Sequence, residues 1–225
     1  MPVDDMVFLL DVDNTLLDND RFGAELGGYL ERTFGASERA RYWKIFGDRR
    51  EQLGLADYLG SLQLFRTGLE DVPQLLRAAD YLLEDCPYPA LLYPQALETI
   101  AHLAAFGKTV ALSDGDVVFQ PRKIQRSGIW DAVEGRVLIY LHKERMLDRV
   151  RLRFPASHYV MVDDKPNLLA AMKVALGTKL TTVFVRQGHY ANDAQSNTHL
   201  PPPDRVIERI GDLMTLNPID FQVRT

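Results

Sequence analysis

Val7-Phe-Leu-Leu-Asp11-Val-Asp13-Asn-Thr15-Leu-Leu17 is the most informative stretch of the chain. Val7 to Leu10 are apolar without any alternation, which suits a strand buried on both faces of a sheet. The run breaks on Asp11, and a second acid follows at Asp13. The same pattern recurs further on. Thr109-Val-Ala-Leu112 ends at Ser113, Tyr159-Val-Met-Val162 ends at Asp163 and Asp164, and Thr181-Thr-Val-Phe-Val185 ends at Arg186. Val137-Leu-Ile-Tyr-Leu141 reads as a fifth strand.

Helical periodicity fills the intervals. Gln95 to Phe106 places Ala96, Leu97, Ile100, Leu103 and Ala104 on one face, with Gly107 as a stop. Pro166 to Leu176 turns Leu168, Leu169, Ala171, Met172, Ala175 and Leu176 inward, with proline in the first turn and Gly177 beyond. Strand alternating with helix predicts an α/β fold, a Rossmann-like parallel sheet wound by crossovers.

The segment 18–91 breaks that alternation. It offers no strand and reads as helices over Phe22–Phe34, Ser37–Leu53, Asp57–Thr67 and Val72–Glu84, with Ser37 as a helix start and Cys86-Pro-Tyr-Pro89 as the return linker. The expected organisation is a core domain from residues 1–17 and 92–225, with a helical domain, 18–91, inserted after the first strand. Asn192 to His199 and the prolines at 201–203 predict an irregular surface loop.

Composition narrows the function classes. Apolar residues make up 46% and charged residues 25% of the 225-residue chain, the balance of a globular protein rather than a disordered one. The net charge of −5 argues against a nucleic-acid partner, which needs net or patchy positive charge. Charged residues interrupt the long apolar stretch 90–112, so no membrane span is expected. The acidic start lacks the basic region of a signal peptide. The single cysteine, Cys86, allows no intrachain disulfide and suits a reducing, cytoplasmic setting.

Parallel sheets bind ligands beyond the carboxyl ends of their strands. The residues expected there are Asp11, Asp13, Ser113, Asp163 and Asp164, with Lys143 opening the amphipathic segment Lys143–Phe154. One aspartate after a strand is usually a turn former. Two acid pairs after separate buried strands call for more, because clustered carboxylates must either take up protons or bind a cation. Mg²⁺ favours such hard oxygen ligands. An acidic pocket with one lysine and one hydroxyl suits a divalent metal that receives an anion. Lys123, Lys165 and Lys173 compete with Lys143 for the cationic role.

These residues resemble, in order, the four motifs of the haloacid dehalogenase-like hydrolases. Asp11-Val-Asp13-Asn-Thr15 is similar to the first motif, Ser113-Asp114-Gly115 to the second, Lys143 to the third, and Asp163-Asp164 to the acidic fourth. The resemblance covers roughly residues 7–17 and 92–186. It implies phosphoryl transfer through an aspartyl-phosphate, with Asp11 as nucleophile and Asp13 as general acid and base. It implies that Ser113, the backbone N–H groups of Asp114 and Gly115, and Lys143 bind the phosphoryl oxygens. Mg²⁺ would be held by Asp11, the main chain of Asp13, and Asp163, with Asp164 binding through water or holding Lys143.

The same resemblance makes the segment 18–91 a cap over the site, with Tyr42, Trp43, Arg49, Arg50 and Arg66 as candidate contacts. The expected function is a Mg²⁺-dependent phosphatase acting on a small phosphorylated metabolite. The alternatives are a phosphomutase, a 2-haloacid dehalogenase and a non-catalytic phospholigand-binding module. The dehalogenases of the family lack the second aspartate, and a receiver domain carries its acids in a different order.

Overall fold

The computed structural model of the chain describes residues 6–192 and 201–221. The apolar runs form β1 (Met6–Leu10), β2 (Lys108–Asp114), β3 (Val137–Tyr140), β4 (His158–Asp163) and β5 (Leu180–Val185), joined by β6 (Arg205–Ile207). All pairings are parallel, in the order β3-β2-β1-β4-β5-β6. β6 goes beyond the five strands expected. Its three residues are at least partly exposed and carry no apolar run, so only pairing with β5 makes them a strand. From β1 the chain builds outward through β2 and β3 on one side, then returns to build β4 to β6 on the other. Such a reversal opens a crevice at the strand ends between β1 and β4.

Burial on both faces explains the unbroken apolar runs. Phe8, Leu10, Val160, Val162, Val183 and Val185 pack on one side. Val7, Leu9, Val110, Leu112, Met161 and Phe184 pack on the other. Alternate residues of a strand point to opposite faces, and here both faces are covered.

The helices are α1 (Asn19–Phe34), α2 (Ala36–Leu53), α3 (Tyr58–Phe65), α4 (Gln74–Asp80), α5 (Ala96–Ala104), α6 (Phe119–Arg126), α7 (Ile129–Ala132), α8 (Leu147–Arg153) and α9 (Pro166–Leu176). The first five lie between β1 and β2, and α1 to α4 make up the inserted segment. α1 starts three residues before the expected Phe22, because the Asp18 side chain accepts the Arg21 N–H at 2.8 Å and caps it. Ser37 does not start α2: it lies inside the helix, and Gly35 stands at the cap. α4 widens into a π-helical turn at Tyr81–Asp85, and the linker closes as a 3₁₀ turn at Tyr88–Leu91. α6 and α7 were not anticipated from the sequence. Of the expected surface loop, 193–200 lies outside the described residues.

Two backbone bonds tie the ends of the inserted segment together: Asp18 N–H to the Leu91 carbonyl at 2.8 Å and Tyr93 N–H to the Leu16 carbonyl at 2.9 Å. Its aromatic side chains reach the core. Phe22 and Tyr58 meet edge-on at 5.1 Å between ring centroids, and Tyr58 lies 5.1 Å from Phe119 of α6. The turn into β2 needs Gly107, since a Cβ there would sit 2.2 Å from the Met6 carbonyl oxygen. Among the described residues, no helix is long and apolar enough to cross a membrane.

Candidate active site

Register brings the acids together. Leu10 pairs with Val162, and the Asp11 N–H donates to the Val162 carbonyl at 3.0 Å, so Asp11 emerges beside Asp163 at the end of β4. Leu10 also pairs with Ala111, which carries Ser113 and Asp114 just past the end of β1. Asp11 is 2% exposed, and Asp163, Asp164 and Lys143 are fully buried. Carboxylate oxygens of Asp11, Asp163 and Asp164 lie within 4.8 Å of one another.

Lys143 is fed into this cluster by a turn. Its backbone N–H donates to Asp114 Oδ1 at 2.7 Å, and the 3₁₀ turn Lys143–Arg145 follows. Its ammonium donates to Asp11, bonds the Leu112 carbonyl at 3.2 Å and lies 2.7 Å from Asp163 Oδ2. Of the other candidate lysines, Lys123 and Lys173 go elsewhere. Lys173 binds Asp204 at 2.7 Å and the Leu180 carbonyl. Lys165 lies half-buried beside the acids, 5.5 Å from the Tyr190 ring.

The buried Lys143 ammonium, with Lys165 half-buried nearby, does not balance three buried carboxylates. Desolvation, opposed by Lys143, pushes Asp11 up to about 7. Desolvation, reinforced by Asp163 and Asp11, pushes Asp164 up to about 9. Burial would lower the Lys143 ammonium, but Asp11, Asp163 and Asp114 outweigh it and raise its pKa. Both Asp164 oxygens and Asp11 Oδ2 have no hydrogen-bond partner, and Asp163 Oδ2 has only the ion pair with Lys143. Buried acceptors without donors are costly unless a cation takes them up. Hard oxygens, excess negative charge and orphaned lone pairs together fit a small divalent cation.

The Asp13 side chain stands outside this group. Its carboxylate, 27% exposed, is held by Lys123 and Gln120 of α6. Any part in holding a cation therefore falls to its main-chain carbonyl. Ser113 Oγ accepts from Gln120 Nε2 at 2.7 Å and donates to the Asp114 carbonyl at 3.2 Å. The expected use of the Gly115 N–H as a phosphoryl donor is corrected: it already donates to the Tyr140 carbonyl at 2.9 Å. The Ala111 N–H donates the same way, to Arg136 of the β3 side. By strand alternation the Asp114 N–H faces β1, where Asp11 lies.

A cavity of about 340 Å³ lies between the inserted helices and the strand ends. Asp13, Asp114, Asp164 and Lys165 line its floor, and Trp43, Phe46, Arg50 and Tyr58 its opposite wall. Of the five expected contacts from the inserted helices, Trp43 and Arg50 reach it. Tyr42 is buried, with its hydroxyl donating to the Tyr58 carbonyl at 3.0 Å. Arg49 pairs with Asp57, the N-cap of α3. Arg66 lines a separate hollow with Leu62, Glu70 and Val72.

Sequence reasoning passed over several polar residues of the site. Asn14 holds the left-handed conformation at φ 60° that asparagine tolerates, and its Oδ1 accepts the Asn19 and Asp20 N–H groups. His189, from the turn after β5, meets Asp20 at 2.7 Å. Gln120, together with Lys123, which the sequence offered only as a competitor of Lys143, sits with Phe119 and Ile124 on the buried face of α6. Two polar residues in apolar register were the available signal.

Comparisons with known proteins bear on the fold and the family. A haloacid dehalogenase-like hydrolase from Burkholderia xenovorans LB400 matches with a TM-score of 0.88 and 56% identity, over 95% of this chain and 97% of that one. A HAD-hydrolase from Bacillus subtilis, YfnB, whose structure holds magnesium, shares the fold at a TM-score of 0.64 and 16% identity, over 94% and 98% of the two chains. The L-2-haloacid dehalogenase PA0810 does so at 0.62 and 19%, over 94% and 98%. No protein-family model and no curated protein matches the chain.

Proposed function

The chain belongs to the haloacid dehalogenase-like hydrolases, and from that premise we infer that it is a Mg²⁺-dependent phosphatase of a small phosphorylated metabolite. The observation that carries this reading is the undercompensated cluster of Asp11, Asp163 and Asp164, with partnerless buried oxygens beside a single fully buried ammonium. Displacing a halide by carboxylate attack requires no such excess of negative charge, and a halide leaves without a proton. An alkoxide leaving group does need one, and Asp13 stands at the cavity to supply it.

Asp11, Asp163, the Asp13 main chain and Asp164 would hold the cation. Bound there, it would neutralise charge on the phosphoryl oxygens and help orient them. The chain's own residues do the rest. An Asp11 oxygen attacks phosphorus, the O–P bond to Asp11 forms, and the bond to the leaving oxygen breaks. Lys143 offsets the charge on the non-bridging oxygens. The Ser113 hydroxyl and the Asp114 N–H donate to them. Asp13 gives its proton to the leaving oxygen, then takes one from the water that attacks phosphorus and frees Asp11 as a carboxylate. The inserted helices act as a cap that limits water and contacts the leaving group.

The test is hydrolysis of p-nitrophenyl phosphate and a panel of phosphorylated metabolites, with Mg²⁺ and with excess chelator. Turnover that requires Mg²⁺ is expected. Full activity in chelator removes the metal from the mechanism, and halide release from 2-haloacids without phosphatase activity replaces the reading with dehalogenation.

A further inference from the structure

Among the described residues, Lys123 is the most deeply buried cation outside the acidic cluster. It is 1% exposed, with its ammonium 5.4 Å from the Phe119 ring centroid and 6.0 Å from that of Phe22. Burying a lysine is costly unless its charge is paired and its donors are used. Here the ammonium donates to Asp13 Oδ1 and lies 3.3 Å from Asn19 Oδ1. One turn earlier on the same helix, Gln120, 3% exposed, spends both amide hydrogens on the site. Its Nε2 donates to Asp13 Oδ2 at 3.2 Å and to Ser113 Oγ at 2.7 Å. Residues i and i+3 share a helix face, so α6 presents the two donors as one fork.

The fork takes one donor for each Asp13 oxygen. A carboxylate has about four acceptor positions, so two remain open on its exposed, cavity-facing side. An aspartate at a cavity rim would otherwise sample several rotamers, and proton transfer needs the carboxylate within hydrogen-bond reach of the reacting oxygen. Packing alone does not call for this arrangement: an apolar residue at 123 would fill the space between Phe22 and Phe119 without a buried charge. Resting on the phosphatase reading above, we propose that Lys123 and Gln120 are positioning residues that hold the Asp13 carboxylate in one orientation for both proton transfers, and that Gln120 couples this orientation to the phosphoryl-binding Ser113. The pair acts through Asp13, and neither residue touches substrate.

The experiment is a double-mutant cycle read on two esters. Lys123→Met keeps the side-chain length and removes the charge. Its kcat/KM on an alkyl phosphate, which reports formation of the phosphoenzyme and so the proton given to the leaving oxygen, should fall by about tenfold or more, part of the 10²–10⁴-fold that acid–base catalysis supplies. On p-nitrophenyl phosphate, a good leaving group, the loss should be smaller. In an Asp13→Asn background Lys123→Met should change little, since residues acting as a unit are non-additive. Lys123→Arg should recover part of the loss. Gln120→Met leaves Lys123 in place, so it tests the fork should Lys123→Met not fold, and it should show the same leaving-group bias. A crystal structure of the metal-free variant should show the Asp13 carboxylate turned from its present orientation. Equal losses on both esters, additive losses in the cycle or an unmoved Asp13 overturn the proposal. If the wild-type protein hydrolyses neither ester with Mg²⁺, the phosphatase reading itself fails, a result seen before any variant is made.

Discussion

At the scale of single residues, Asp11 and Asp13 stand two positions apart and face different surroundings. Asp11 is buried against Lys143 and Asp163, while Asp13 points to the cavity rim and α6. The proposed chemistry separates them in the same way. Asp11→Asn should abolish turnover and leave no covalent intermediate. Asp13→Asn should lose about 10²–10⁴-fold in turnover, yet with p-nitrophenyl phosphate it should still form the phosphoenzyme, which then accumulates because water attack lags. Rapid quench followed by intact-mass measurement distinguishes the two. An added phosphoryl group on Asp11→Asn would move the nucleophile elsewhere.

At the scale of elements, α2 carries two adjacent arginines with separate work. Arg49 Nε donates to Asp57 Oδ2 at 3.0 Å, and the same carboxylate caps α3 through the Gly60 N–H. Arg49→Ala should therefore cost about 1 kcal/mol, seen as a Tm lower by about 2–4 °C, with little change in substrate preference. Arg50 lines the cavity and donates to the Tyr190 hydroxyl at 2.7 Å, so it bridges the inserted helices to the turn after β5. Arg50→Ala should change KM among metabolites by up to about tenfold, or 1.4 kcal/mol, with kcat on p-nitrophenyl phosphate nearly kept. Equal losses on every substrate would make Arg50 structural, and an unchanged Tm in Arg49→Ala would remove the Asp57 pairing from the stability of the insert.

The whole molecule carries the charge of its site as a stability cost. Asp11 and Asp164 have pKa values raised above the unfolded value of 3.8, to about 7 and about 9. Between those limits the folded protein binds more protons than the unfolded chain, so metal-free stability falls as pH rises. His158 has a lowered pKa and works in the opposite direction, but only below its ordinary value of 6.5. The clean window is therefore pH 7 to 8.5. Over that window metal-free Tm should fall and the gain in Tm on adding Mg²⁺ should grow, because the cation favours the ionised folded form. Thermal melts with and without Mg²⁺ at both pH values check this. A Mg²⁺ gain that shrinks with pH would contradict the assignment of the cluster as its binding site.

Local pattern was enough for much of this protein. Unbroken apolar runs ending in acids marked the central strands, because a strand covered on both faces has no polar positions. The ordered acids and hydroxyl pointed to the chemistry because parallel strands bring their carboxyl ends to one edge of the sheet, whatever their order in the chain. Other features depended on partners distant in sequence. β6 exists only through β5, and the Gly115 amide is consumed by Tyr140. Lys143 and Lys123 are alike as residues. The Asp114-capped turn delivers the first to Asp11, while the packing of α6 against Phe22 and Tyr58 delivers the second to Asp13. A lysine's reach and charge are properties of its type, but the carboxylate it meets is set by where its backbone is anchored, and only tertiary packing decides that.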